Sequence, residues 1–130
     1  MEGNILDVKE IQQTLDKSEY KDSYIVKLNG NYMFDEVELA YQISKEEAIL
    51  IHFSGCYKVH FNHDFDQNKR GDVKDRISSR QYLYVLKWIT MGEIIVNKNC
   101  FFTCQVVGTL LDFEVQFKEI KISKVKINDL

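Results

Sequence analysis

The chain has 130 residues, 45% apolar and 28% charged, enough for one packed domain and against disorder throughout. Seventeen basic against twenty acidic side chains leave a formal charge of -3, too balanced for a protein that coats nucleic acid through a basic face. Cys56, Cys100 and Cys104 make an odd count, no stretch reaches the ~20 apolar residues of a membrane span, and Met1–Leu15 lacks the basic-then-apolar order of a signal peptide; the expectation is one cytoplasmic domain over residues 1–130.

Ile5, Val8, Ile11 and Leu15 recur at helical spacing and predict a helix over Asn4–Asp16, with Asp7 and Glu10 placed as a capping box. From Tyr24 the period becomes two. Tyr24, Val26 and Leu28 predict a strand that ends at an Asn29-Gly30 turn. Val37, Leu39, Tyr41 and Ile43 alternate with Glu36, Glu38, Ala40 and Gln42, the pattern of a half-buried strand. Ala48–Phe53 is apolar on both faces, as a central strand is, and Tyr57, Val59 and Phe61 continue the alternation.

The stretch His63–Arg80 is the longest polar run and reads as a loop, of a length that often carries function. Gln81–Met91 is apolar all round; its Tyr, Val, Trp, Ile and Thr content favours a strand over a buried helix, and Gly92 is expected to end it. Glu93–Val96 and Phe101–Val107 read as a hairpin around Asn97-Lys98-Asn99. Leu111, Phe113, Val115 and Phe117 alternate with polar residues. Two phase shifts follow, after Phe117 and between Ile122 and Val125, each implying a turn or β-bulge. The Lys-rich end suits an edge strand guarded by charge. About eight strands and one helix predict a mainly β domain, an antiparallel sheet curled into a sandwich or partial barrel with one N-terminal helix. The β region spans about 23–127 and the polar loop about 63–80.

Motifs for chemistry fail on geometry. Cys56 and His60 lie ~13 Å apart along a strand, beyond the reach of ~2 Å bonds to one ion, and Cys100 and Cys104 have the same spacing, which leaves buried free thiols. Asp64-x-Asp66-x-Asn68 begins like a calcium loop, but Lys69 replaces the turn glycine and Asp75 the bidentate Glu. His52, His60 and His63 carry no nucleophile signature, and the scattered glycines make no phosphate cradle. No metal, cofactor or enzymatic activity is expected.

Two surfaces remain. Glu36 and Glu38, with Asp64, Asp66, Arg70, Asp72, Asp75 and Arg76 of the polar loop, form a candidate face for a protein partner. The alternative is an aromatic strand face of Tyr82, Tyr84 and Trp88, with Lys87 beside it, for a small ligand or single-stranded nucleic acid. The charge balance argues against nucleic acid.

Tyr20–Ile25 entering the sheet, Ile49–Cys56 in the middle and Phe113–Ile122 at the end resemble, in their rhythm of strands, small β-rich bacterial immunity proteins of polymorphic toxin systems. The resemblance covers most of the chain. It implies a non-enzymatic protein that binds and neutralises a toxin, and it carries over no site residue; in that reading the polar loop and the Glu-rich face would contact a basic toxin domain.

Overall fold

A computed structural model describes residues 8–63, 85–109 and 111–130. Among these, eight strands form two antiparallel sheets, with one helix. The helix α1 (Val8–Lys17) is followed by β1 (Ile25–Asn31), β2 (Glu36–Gln42), β3 (Glu47–Ser54) and β4 (Lys58–His63). Then come β5 (Leu86–Val96), β6 (Asn99–Gly108), β7 (Leu111–Phe117) and β8 (Glu119–Lys126). The first sheet has the order β1-β2-β3-β8 and the second β4-β7-β6-β5. The mainly β sandwich expected from the alternation is the fold observed.

The alternation explains the core. Val37, Leu39 and Tyr41 of β2 face inward beside Ile51 and Phe53 of β3, and Phe113, Val115 and Phe117 of β7 answer from the other sheet, all buried. Phe53 bridges the layers, with its ring centroid 4.8 Å from Phe117 and 6.5 Å from Phe113 in tilted arrangements.

Two chain crossings tie the sheets together side by side. After Ser54, Gly55 turns with φ +62, and a Cβ there would lie 3.2 Å from the Lys118 Cβ. Lys118 N–H donates to the Ser54 carbonyl at 3.1 Å, and Tyr57 N–H to the Gln116 carbonyl at 2.7 Å. The ladder of β3 with β8 thus runs through a corner into the ladder of β4 with β7. This corner is the first expected phase shift.

The helix closes an edge. Leu15 is buried, and Val8 and Ile11 pack against the core. Gln12 faces β5 as a second strand would: its Nε2 donates to the Ile89 carbonyl at 2.9 Å, and its Oε1 accepts from Met91 N–H at 2.7 Å. Ile89 N–H also donates to the Tyr20 hydroxyl at 3.1 Å. Side chains of the helical arm therefore occupy backbone groups that an edge strand leaves open. At the opposite edge, β8 carries Lys121, Lys124 and Lys126, the charged guard expected there.

The structure corrects several expectations. Asn29-Gly30 is not a turn; β1 runs on to Asn31 and the chain reverses at Tyr32–Asp35. Gly30 is small because the Phe34 ring folds onto it and would collide with a Cβ. Gly92 does not end its strand: β5 is continuous, and Gly92 gives room to Thr103 across the ladder. The second phase shift is no bulge, because β8 pairs with β3 rung by rung from Glu119 to Lys126. The thiols are not uniformly buried: Cys104 is, Cys56 is half-buried and Cys100 is exposed. The helix is described from Val8 and ends at Lys17; its expected first turn from Asn4, like residues 64–84, lies outside the described residues.

Tyr41 is fully buried, with its hydroxyl 2.6 Å from Ser18 Oγ. Burial, only partly offset by that hydrogen bond, pushes its phenol up to about 12 from the ordinary 10.0. The unfolded chain therefore loses this proton first, so the contribution is intact below pH 10 and declines as pH rises towards 12. Urea titrations of Tyr41→Phe and the parent across this range are expected to show a shallower alkaline decline in the variant.

Candidate functional site

Five exposed apolar side chains, Tyr32, Met33, Phe34, Tyr57 and Phe61, lie together at one end of the sandwich, where the β1–β2 turn overhangs β4. The last rung of the hairpin is Asn31 opposite Glu36. Tyr32, Met33 and Phe34 then adopt φ values of 54, 59 and 69, three consecutive side chains in the left-handed region. Each costs about 1–2 kcal/mol relative to the right-handed form. The turn is closed by Asp35 N–H donating to the Tyr32 carbonyl at 3.1 Å, and pinned to the corner by Cys56 N–H donating to the Asp35 carbonyl at 3.0 Å. The backbone therefore holds a strained form that displays apolar side chains: Tyr32 is 75% exposed and Met33 98%.

Tyr57 and Phe61 supply the other wall, 55% and 49% exposed. Tyr57 is fixed by the Phe101 ring, with centroids 4.7 Å apart, and Lys118 Nζ lies 5.3 Å from that ring's centroid. Phe61 and Val59 sit opposite Phe113 and Val115 in the ladder and so point inward, yet the sandwich does not close over Phe61. Between turn and strand lies a cavity of about 340 Å³ lined by Met33, Phe34, Cys56, Tyr57 and Phe61. A second, of about 280 Å³, reaches inward past Phe34 to Leu28, Val37 and Phe113.

The Cys56 thiol also lines this surface. Burial first, then the nearby Asp35 and Glu36 carboxylates, push this thiol up to about 11, so it stays protonated and weakly nucleophilic at neutral pH. Among the described residues no three His, Cys, Asp or Glu side chains are grouped to hold a metal ion.

Of the acidic residues expected to meet a partner, Glu36 and Glu38 are described, in β2 just after this turn. Glu36 Oε1 is 3.0 Å from His52 Nε2, and Glu38 Oε1 is 3.0 Å from Lys27 Nζ, so both are engaged across the sheet. Asp64, Asp66, Arg70, Asp72, Asp75 and Arg76 lie outside the described residues, as do Tyr82 and Tyr84. Of the aromatic strand face, Trp88 is 57% exposed, while Lys87 Nζ is held 2.6 Å from Asp22 Oδ1. Sequence reasoning missed Tyr32-Met33-Phe34. Its signal was an apolar triplet between two strands, where a chain reversal ordinarily calls for glycine or asparagine.

Tyr32, Met33, Phe34, Tyr57 and Phe61, exposed together, have the composition common in protein-docking surfaces. Comparison with protein families gives the class: the chain matches the model described as immunity protein PIM7 over residues 7–124 and belongs to that family. The expected resemblance to immunity proteins is thereby borne out. None of the curated proteins compared with the chain matches it. No helix among the described residues is long and apolar enough to cross a membrane.

The turn stores strain, and relieving it stabilises the fold. Met33→Asn places a side chain that tolerates the left-handed region. It is expected to raise unfolding stability by roughly 0.5–1 kcal/mol in urea titration while lowering affinity for the protein partner.

Proposed function

We propose that this immunity protein neutralises a cognate toxin by binding and covering it, without chemistry, through the apolar end of the sandwich. Family membership supports a protein partner. The observation that carries the location is the strained turn that displays Tyr32 and Met33 beside Tyr57 and Phe61. Tyr, Phe and Met are enriched in interface cores, and a few well-packed anchors carry most of the binding energy. Tyr32 and Met33 are such anchors, projecting from a backbone that is already ordered, so little freedom is lost on docking.

Glu36 and Glu38 form the acidic border of this end and would face a basic toxin domain. As they already have partners in the free protein, they contribute to the rate of association more than to residence time.

Co-expression with a toxin sought among the products of the genes beside this one tests the reading. The parent chain is expected to protect growth and to co-purify with the toxin. Tyr32→Ala with Met33→Ala is expected to weaken binding by about 2 kcal/mol or more, roughly thirtyfold, with loss of protection. Trp88→Ala, on another face, leaves both intact. Glu36→Gln with Glu38→Gln slows association and leaves dissociation nearly unchanged. A turn variant that protects and binds like the parent would contradict the proposed surface.

A further inference from the structure

Four strand edges border the two sheets, and they are treated differently. The edge of β5 is occupied by Gln12 and Tyr20, and that of β8 is guarded by three lysines. The edges of β1 and β4 face one another across an open seam. No backbone hydrogen bond links Ile25–Asn31 or Lys58–His63 to anything beyond their own sheets among the described residues.

Consecutive residues of β1, and Lys58 with Val59 at the start of β4, line the seam, as a strand's edge does, because alternate side chains point to opposite faces. Ile25, Val26, Lys27 and Leu28 border one cavity of about 320 Å³ with Phe61 and Leu111. Cys56, Tyr57, Lys58 and Val59 border the 340 Å³ cavity beneath the turn. Phe61 lines these two and the 280 Å³ cavity between them, so the three form one apolar groove that ends at Tyr32–Phe34.

We propose that this groove takes an extended segment of the toxin, added as a strand to the edge of β1 or β4, with alternate apolar side chains seated in the cavities. The proposal rests on the toxin-binding reading above and deepens it by naming the mode. Strand addition supplies affinity through main-chain hydrogen bonds and specificity through pockets for every second side chain, and both features are present. The groove is continuous with the displayed turn, so one partner covers both. Lys58 borders the groove and has no carboxylate partner among the described residues, so the segment carries an acidic residue at that end.

Amide hydrogen exchange of the full chain, alone and with a toxin found in that way, tests this. In the complex, amides of residues 25–30 and 58–62 are expected to exchange at least roughly tenfold more slowly than in the free chain. Phe61→Glu, at a half-exposed position, is expected to abolish that protection while the free variant keeps the parent's exchange pattern elsewhere. A complex that protects the turn and leaves β1 and β4 unchanged overturns strand addition but not toxin binding. Failure to form any complex overturns both. Concentration-dependent protection of the same amides without toxin overturns the proposal in favour of a second copy of the chain.

Discussion

Where β3 gives way to β4 and β7 to β8, two paired strands leave one sheet and enter the other side by side. The crossing is held by Gly55 in the left-handed region, by the Lys118 amide on the Ser54 carbonyl and by the Tyr57 amide on the Gln116 carbonyl. Because both strands of the ribbon bend together, the hydrogen-bond ladder is scarcely interrupted. Phe53, Phe113 and Phe117 can then pack across the layers within a few residues of the bend. The rest of the architecture follows from this corner. It joins the sheets along one border and, by turning β4 away from β3, leaves β4 facing the β1–β2 hairpin without pairing to it.

The opposite end is fastened otherwise. Tyr24 bridges Val85, Leu86 N–H donates to the Ser23 carbonyl, and the helix lays Gln12 and Tyr20 along β5. The sandwich is therefore joined at the corner and at this end and, among the described residues, left unpaired between β1 and β4. Beside that gap the β1–β2 turn displays apolar side chains and holds three left-handed residues in succession. Strain of that kind persists only where surrounding structure imposes it, here the β1–β2 ladder on one side and the Cys56–Asp35 hydrogen bond on the other. In a protein of an immunity family, that rigid apolar display supports the proposed docking surface.

Much of the fold was legible because one face of many strands is wet. Val37–Tyr41 and Leu111–Phe117 announce their buried side, and the slip after Phe117 marks the corner. What failed depended on neighbours across the sheet. Gly30 and Gly92 read as punctuation, but each makes room for a side chain from elsewhere, Phe34 and Thr103. Lys124 falls on the inward side of β8 opposite Ile49, at the end of an edge strand where a long side chain reaches water, so apolar spacing there no longer reports the face. Side-chain partners at the expected site depend on neighbours in the same way. Glu36 and Glu38 look free in one dimension, and only the register brings them to His52 and Lys27. The turn at Tyr32–Phe34 carries no turn residue, since its geometry is imposed by tertiary contacts.

The central claim is that the Tyr32–Phe34 end is what meets the toxin. Its most direct measurement is site-specific photo-cross-linking, with a benzophenone amino acid placed at position 33 and, in a second protein, at position 88. Both positions are exposed. Exposed to light with the toxin, the chain carrying the probe at 33 should become joined to it, and the chain carrying the probe at 88 should not. Cross-links from 88 alone would place the toxin on the outer face of β5 and contradict the account.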